Sequence, residues 1–291
     1  MKREIRQAVN AGGGSTLTKI ARASSLAQIS KILKNDLNIQ VKSFEFLKVS
    51  HVERLIQHLQ ARGQSPRTSQ NTMAHLRCAL REVGREKFAS DPRISNKKLG
   101  ISGASRDGKH RAINLEEIEM RILKLDDGAA AATRLQMAIG LRAREAIQSS
   151  ESLKSWLIEL EKYDCLTISH GTKGGRTRIV RFITQESKQS ALQAIKNAHQ
   201  AAIKNNGVLI PSKSLQGAAR AHLRSMNAAG FQGEESSHAL RCTWAQAQYN
   251  RYMEMLGGDK KEALSRLSMD LGHGDGRGRY VKQVYLKNTM Q

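Results

Sequence analysis

The sequence predicts a mainly α-helical protein of two domains, with one small β-hairpin in the second. Three observations carry this expectation. Apolar residues recur at helical spacing along most of the 291 residues. One segment, YDCLTISHGTKGGRTRIVRFIT (163–184), breaks that pattern, with β-rich CLTIS and TRIVRFI on either side of a Gly-Thr-Lys-Gly-Gly turn. Around residues 91–113 the composition shifts to Pro92, glycines, serines and basic residues with few large apolar groups, as in an interdomain linker. The expected boundaries are therefore a basic helical domain at 1–92, a basic linker at 93–113 and a second domain at 114–291.

In the first domain, SLAQISKILKNDL places Leu26, Ile29, Ile32, Leu33 and Leu37 on one helical face. SHVERLIQHLQARG follows, with Ser50 as the expected cap and Gly63 as the stop, and SPRTSQNTMAHLRCALREVGRE repeats the pattern through Met73, Leu76, Leu80 and Val83. The first helix is expected near residue 16, which leaves no separate domain ahead of this bundle. The second domain opens with NLEEIEMRILKL, where Asn114 and Glu117 resemble a capping box. After the hairpin, helices are expected near 185–205, 214–228, 236–256, 259–271 and 278–287. There is no internal repeat.

Charge narrows the class of partner. Lys and Arg number 48 against 26 acidic residues, a net charge of +22, and the isoelectric point is near 10.3. Such an excess favours a polyanion, usually nucleic acid. It is concentrated toward the N-terminus, where residues 1–112 hold 22 basic and 8 acidic side chains. With 39% apolar residues the chain has enough for a core, yet no apolar run is long enough to span a membrane. The N-terminal stretch lacks the apolar core of a secretory signal. Cys78, Cys165 and Cys242 have neither metal-ligand spacing nor a disulfide pattern, and fit free thiols in a reducing cytoplasm.

Four short segments of the second domain carry chemistry. In GLRAREA, Arg142 follows an apolar helix and Glu145, one turn on, is placed to orient its guanidinium, a planar fork suited to phosphate. In GTKGGRTR, Lys173 stands at a glycine-rich hairpin tip. In HALR, His238 and Arg241 share a helix face just after Ser236 and Ser237, where cap-region N–H groups also favour an oxyanion. LGHGDGRGRYVKQVYLK adds His273, a glycine-rich basic loop and two tyrosines. Cys242 beside Arg241 reads as packing, and Trp244 as a core anchor.

In this order the segments resemble the boxes of the tyrosine recombinase, or phage-type integrase, family. GLRARE is similar to its arginine box, GTKGGRTRIV to its β-hairpin lysine segment, HALR to its His-x-x-Arg box and LGH to its last histidine box. The resemblance implies a two-domain DNA clamp, made of a helical core-binding domain and a catalytic domain. It also implies a division of labour. Arg142 and Arg241 would clamp the scissile phosphate, and Lys173 would act as general acid toward the leaving 5′-oxygen. His238 would assist as base or phosphate ligand, His273 would bond the phosphate, and Glu145 would support the arginines. A tyrosine would attack to give a 3′-phosphotyrosyl intermediate, with no metal and no cofactor.

The family's usual spacing puts the nucleophile on what is here Lys282, which cannot serve. Tyr285 is favoured because QVYLK resembles the family's Ala-Tyr-Leu ending and GDGRGR reads as a short loop insertion. Tyr280 is the alternative nucleophile. Five residues apart on a helix, the two differ by about 140° in direction, so only one is expected in the pocket. The implied function is site-specific recombination of a mobile element, DNA integration or excision. The implied partners are double-stranded DNA with a specific recombination site and a homotetramer on two duplexes, with room for accessory DNA-bending proteins. The expected location is cytoplasmic, on the bacterial nucleoid when bound. Two other readings use the same residues: a non-catalytic DNA-binding protein of this fold, and a DNA-relaxing enzyme like a type IB topoisomerase.

Overall fold

The computed structural model describes residues 2–105 and 107–286. The chain divides after Ser105 into two units, each with its own core.

The first unit is a bundle of α1 (Lys2–Ala11), α2 (Thr16–Lys31), α3 (Val49–Ala61), α4 (Pro66–Glu82) and the short α5 (Glu86–Ala89). Leu26, Ile29, Leu33, Val52, Leu55, Ile56, Met73, Leu76 and Leu80 interlock in its core, which is the periodicity read from the sequence. Ser65 caps α4 by accepting from Thr68 N, with Pro66 at the first helical position, where its missing N–H costs nothing.

Three local details differ from expectation. α1 precedes the helix near residue 16, and only Ala8 of it is fully buried. The Arg22 guanidinium holds its C-terminal end, donating to Gly12 O at 2.9 Å, Val9 O at 3.2 Å, Gly13 O at 3.3 Å and Ala8 O at 3.4 Å. α3 begins two residues earlier than Ser50 implies, with His51 Nδ1 reaching back to accept from Lys48 N at 3.3 Å. The stretch taken as a linker is packed at both ends. Ile94, Leu99 and Ile101 belong to the first core, and Ile113 to the second unit. Its apolar residues are spaced too widely for a periodic signal, yet each buries fully or nearly so.

The second unit contains α6 (Leu115–Ile122), α7 (Asp127–Ile139), α8 (Ala143–Ile147), α9 (Leu153–Lys162), β1 (Cys165–Ile168), β2 (Arg178–Arg181), α10 (Gln185–Lys204), α11 (Leu215–Ala228), α12 (Ser237–Met255), α13 (Lys260–Asp270) and α14 (Gly278–Tyr285). Lys287, the expected end of the last helix, lies outside the described residues. The strands form a two-stranded antiparallel sheet in which Leu166 faces Val180 and Ile168 faces Arg178. Leu166, Ile168, Arg178 and Val180 turn inward while Ile179 is exposed. α7 and α10 pack side by side, and the core they share includes Leu135, Ile139 and Ile195 together with Ala129, Ala132, Ala191 and Ala198, whose small side chains allow close approach. Trp244 and Tyr252 of α12 complete this core. Among the described residues no helix is long and apolar enough to cross a membrane.

Candidate active site

Gly140 ends α7 in the left-handed region, at φ 69°. A side chain there would be strained, and its Cβ would run into the Trp244 ring. The turn it allows aims Gly140 O at two guanidiniums, accepting from Arg241 Nη1 and, at 3.4 Å, from Arg178 Nη2. Two residues later Arg142 opens α8, and Glu145 reaches back to accept from its backbone N–H at 2.7 Å. Glu145 therefore caps the helix and pairs with charge at once.

Its carboxylate is almost wholly buried. Oε1 lies 2.6 Å from Arg142 Nη1 and 2.7 Å from Arg178 Nη1, and Oε2 lies 3.9 Å from Arg241 Nη1. Burial pushes this carboxyl up, but the charges of Arg178, Arg241 and Arg142 outweigh burial and hold it below the ordinary carboxylate range. Three guanidiniums around one buried carboxylate leave the cluster with excess positive charge. Arg178 registers that excess most directly: burial and the neighbouring Arg241 lower it to about 10.

The end of α13 supplies further acceptors. Leu271 O accepts from Arg241 Nη2 and, at 3.3 Å, from Arg142 Nη2, while Asp270 O accepts from Arg178 Nε at 2.9 Å. Arg241 is fully buried, and its Nε has no hydrogen-bond partner. The guanidiniums are thus fixed by carbonyls of two separate segments before they meet any ligand.

Both histidines border this cluster. His273 Nε2 is 3.1 Å from the Tyr285 hydroxyl. The rings of His238 and His273 each lie 5.6 Å from the Tyr285 ring, and Arg241 Cζ lies 5.9 Å from it. Burial, then His110, Arg241 and Arg142, lower His238 to about 4. Burial and the cations Arg241, Arg142, Arg178 and Lys173 lower His273 to about 3. Both imidazoles are therefore neutral at pH 7, each with one ring nitrogen able to accept a hydrogen bond, and the burial and cations that lower them oppose their protonation.

Beside the cluster opens a cavity of about 500 Å³, lined by Arg142, Lys173, Arg176, His273, Arg277 and Tyr280 among others. Lys173 is exposed in the turn between β1 and β2. All six side chains singled out in the sequence, together with Glu145, thus border one site. Of the two tyrosines one lines the cavity, and it is Tyr280, the alternative nucleophile. Tyr285 is buried with its oxygen on His273, whereas Tyr280 lines the cavity with its ring 4.9 Å from the His273 ring. His273 lies between the two ends of α14 and is flanked by both.

Two site neighbours escape the sequence reading. Arg178 does so because Ile179 and Val180 are both apolar, so alternation alone does not say which face of β2 turns inward. His110, in the segment taken as linker, has its ring 4.9 Å from that of His238 and its Nδ1 3.2 Å from both Glu234 O and Ser236 Oγ. Neither expected serine caps α12 with its side chain. Ser236 turns to His110, and Ser237 donates to Gln136 at 2.7 Å. Cys242 is buried, which pushes its thiol up to about 12 and leaves it a packing residue.

A family model described as Integrase matches residues 100–247, and one described as Phage integrase, N-terminal, matches residues 1–89. The first match stops short of His273 and both tyrosines. Comparison with curated proteins by sequence gives no match. Among solved structures, the chain resembles a lambda integrase tetramer bound to a Holliday junction, with a TM-score of 0.54 and 16% identity over 95% of this chain and 76% of that one. It also resembles the Tn1549 transposon integrase in complex with transposon right end DNA, with a TM-score of 0.57 and 16% identity over 97% and 93% of the two chains. These likenesses speak to the fold. With an integrase model spanning half the chain and a phage-integrase model covering its N-terminal bundle, the chain belongs to the phage integrase, or tyrosine recombinase, family.

Proposed function

We propose that the protein is a site-specific DNA recombinase that cuts and rejoins DNA through a 3′-phosphotyrosyl intermediate, with Tyr285 as the nucleophile. The single observation that carries this is the hydrogen bond between the Tyr285 hydroxyl and neutral His273, beside a preorganised arginine cluster. Arg142 and Arg241 take two oxygens of the scissile phosphate and neutralise the charge that grows on them in the transition state. The Tyr285 oxygen attacks phosphorus, and the bond to the 5′-oxygen breaks. Lys173, on the exposed hairpin turn, gives that oxygen its proton and leaves a free 5′-hydroxyl. The phenolic proton passes to an imidazole, whose basicity the bound phosphate restores by offsetting the surrounding cations; His238 and His273 flank the phenol, and His273 is hydrogen-bonded to it. Charge neutralisation and proton transfer come from side chains, so the step as proposed uses neither metal nor nucleotide.

A specific observation favours Tyr280 as the second reading: it is the tyrosine that faces the open cavity. The natural partner would be duplex DNA carrying a recombination site, and the working assembly a tetramer on two duplexes, as in the lambda integrase complex. The test is covalent trapping on a nicked duplex bearing the element's own junction, read on a denaturing gel. Wild type and Tyr280→Phe are expected to give a protein–DNA adduct and Tyr285→Phe none. An adduct that disappears only in Tyr280→Phe would reverse the assignment of the nucleophile. A wild type that binds the site yet forms no adduct would favour a non-catalytic DNA-binding protein.

A further inference from the structure

Asp270 is a charged side chain fully buried at the end of α13. Its Oδ1 accepts from Arg181 Nη1 at 2.9 Å, at the end of β2. Its Oδ2 accepts from Tyr252 OH at 2.6 Å and from Gln248 Nε2 at 3.3 Å, both on α12. Gln248 Nε2 also donates to Arg181 O at 2.9 Å, so the same amide ties the strand to the helix. Burial raises the Asp270 carboxyl above its ordinary range in spite of these partners, and burial together with the Asp270 charge pushes the Tyr252 phenol up, which keeps it a donor.

Withdrawing a carboxylate from water is costly, and a hydrophobic residue would fill the same space without that cost. What the carboxylate adds is direction. It joins α12, α13 and β2 at the residue where α13 ends. The backbone there does the orienting work described above: Asp270 O holds Arg178, and Leu271 O holds Arg142 and Arg241. Two residues on, His273 N donates back to Ser268 O at 2.9 Å, so the turn bearing the imidazole is built on the same helix end.

We propose that Asp270 is a positioning residue for the arginine clamp: by locking the end of α13 to α12 and β2, it fixes Leu271 O, which holds Arg142 and Arg241, and its own carbonyl, which holds the neighbouring Arg178. This rests on reading Arg142 and Arg241 as that clamp.

The experiment compares adduct formation by full-length wild type and Asp270→Asn on two nicked duplexes, one with an ordinary scissile phosphate and one with a methylphosphonate there. Replacing an ionised oxygen by methyl removes the charge that the clamp neutralises. On the ordinary phosphate, Asp270→Asn is expected to lower the rate by roughly 10- to 100-fold, the scale of a small misplacement at a reacting centre, with DNA affinity unchanged. On the methylphosphonate the gap to wild type is expected to narrow. A purely structural role would lower both rates alike, and that result overturns the assignment, as does a folded Asp270→Asn that matches wild type on phosphate. If Asp270→Asn fails to fold, Tyr252→Phe decides. It removes one donor without stranding a charge, and is expected to give the same pattern at smaller amplitude; equality with wild type overturns the assignment. A wild type that forms no adduct on either duplex would instead defeat the recombinase reading itself.

Discussion

At the scale of single residues, the site depends on where main-chain carbonyls point. Arg241 is oriented by Gly140 O and Leu271 O more than by Glu145, 3.9 Å away, while Arg178 is held both by Asp270 O at 2.9 Å and by Glu145 Oε1 at 2.7 Å. Gly140 meets two demands at once, a positive φ and the absence of a Cβ against Trp244. Gly140→Ala is therefore expected to destabilise the protein by about 2 kcal/mol or more, from left-handed strain and displacement of the indole. It should also slow adduct formation, since the carbonyl moves with the turn. Thermal denaturation and the trapping gel check both effects. A variant as stable as wild type would mean that the ring moves aside freely.

At the scale of elements, the helix ends do the most. α1 has few buried side chains, and its C-terminal carbonyls are held by Arg22, a cation where the helix dipole is negative. Arg22→Ala should cost about 2 kcal/mol, the value of charged hydrogen bonds left unmade, and the loss should be local. Amide exchange is expected to speed up across α1 and its junction with α2, with the second unit unchanged. Unaltered protection in α1 would show that Ala8 and its apolar neighbours hold it without the guanidinium.

The same scale explains what was legible in the sequence. The arginine, lysine and histidine boxes are read from chain-local spacing, and so are α2, α4 and the hairpin, because each carries its own periodicity or turn. Asp270 and Arg178 were not legible. Their burial follows from the meeting of β2, α12 and α13, which no short window records. α1 gives little signal because KREIRQAVNA holds only a few apolar positions, and the packing of residues 93–113 gives little because Ile94, Leu99, Ile101 and Ile113 are scattered among charges.

At the scale of the whole molecule, burial of imidazoles couples stability to pH. Burial lowers His222 to about 4 from an ordinary 6.5, and His238 and His273 are lowered to about 4 and about 3. Between these values and 6.5 the unfolded chain binds protons that the folded protein does not. Stability must therefore rise with pH from about 4 to about 6.5, and fall away on acidification through that window. His222 is distant from the clamp in role, being hydrogen-bonded to Gln136 in the interior. His222→Gln should flatten the profile by ~1.5 kcal/mol between about pH 6.5 and 5, because a proton bound only by the unfolded chain is worth about 1.4 kcal/mol per pH unit once that imidazole is fully protonated, and it is half protonated at 6.5. Denaturant titrations at several pH values measure this, and an unchanged slope would contradict it.

In the chemistry proposed for the whole protein, one particular tyrosine becomes joined to DNA. The sequence makes this directly readable, because Lys282 separates the two candidates. Trypsin and nuclease digestion of the trapped adduct leaves a nucleotide remnant on one of two peptides, which mass spectrometry identifies. The remnant is expected on QVYLK, which carries Tyr285. A remnant on YVK, which carries Tyr280, would contradict the assignment of Tyr285 as the nucleophile.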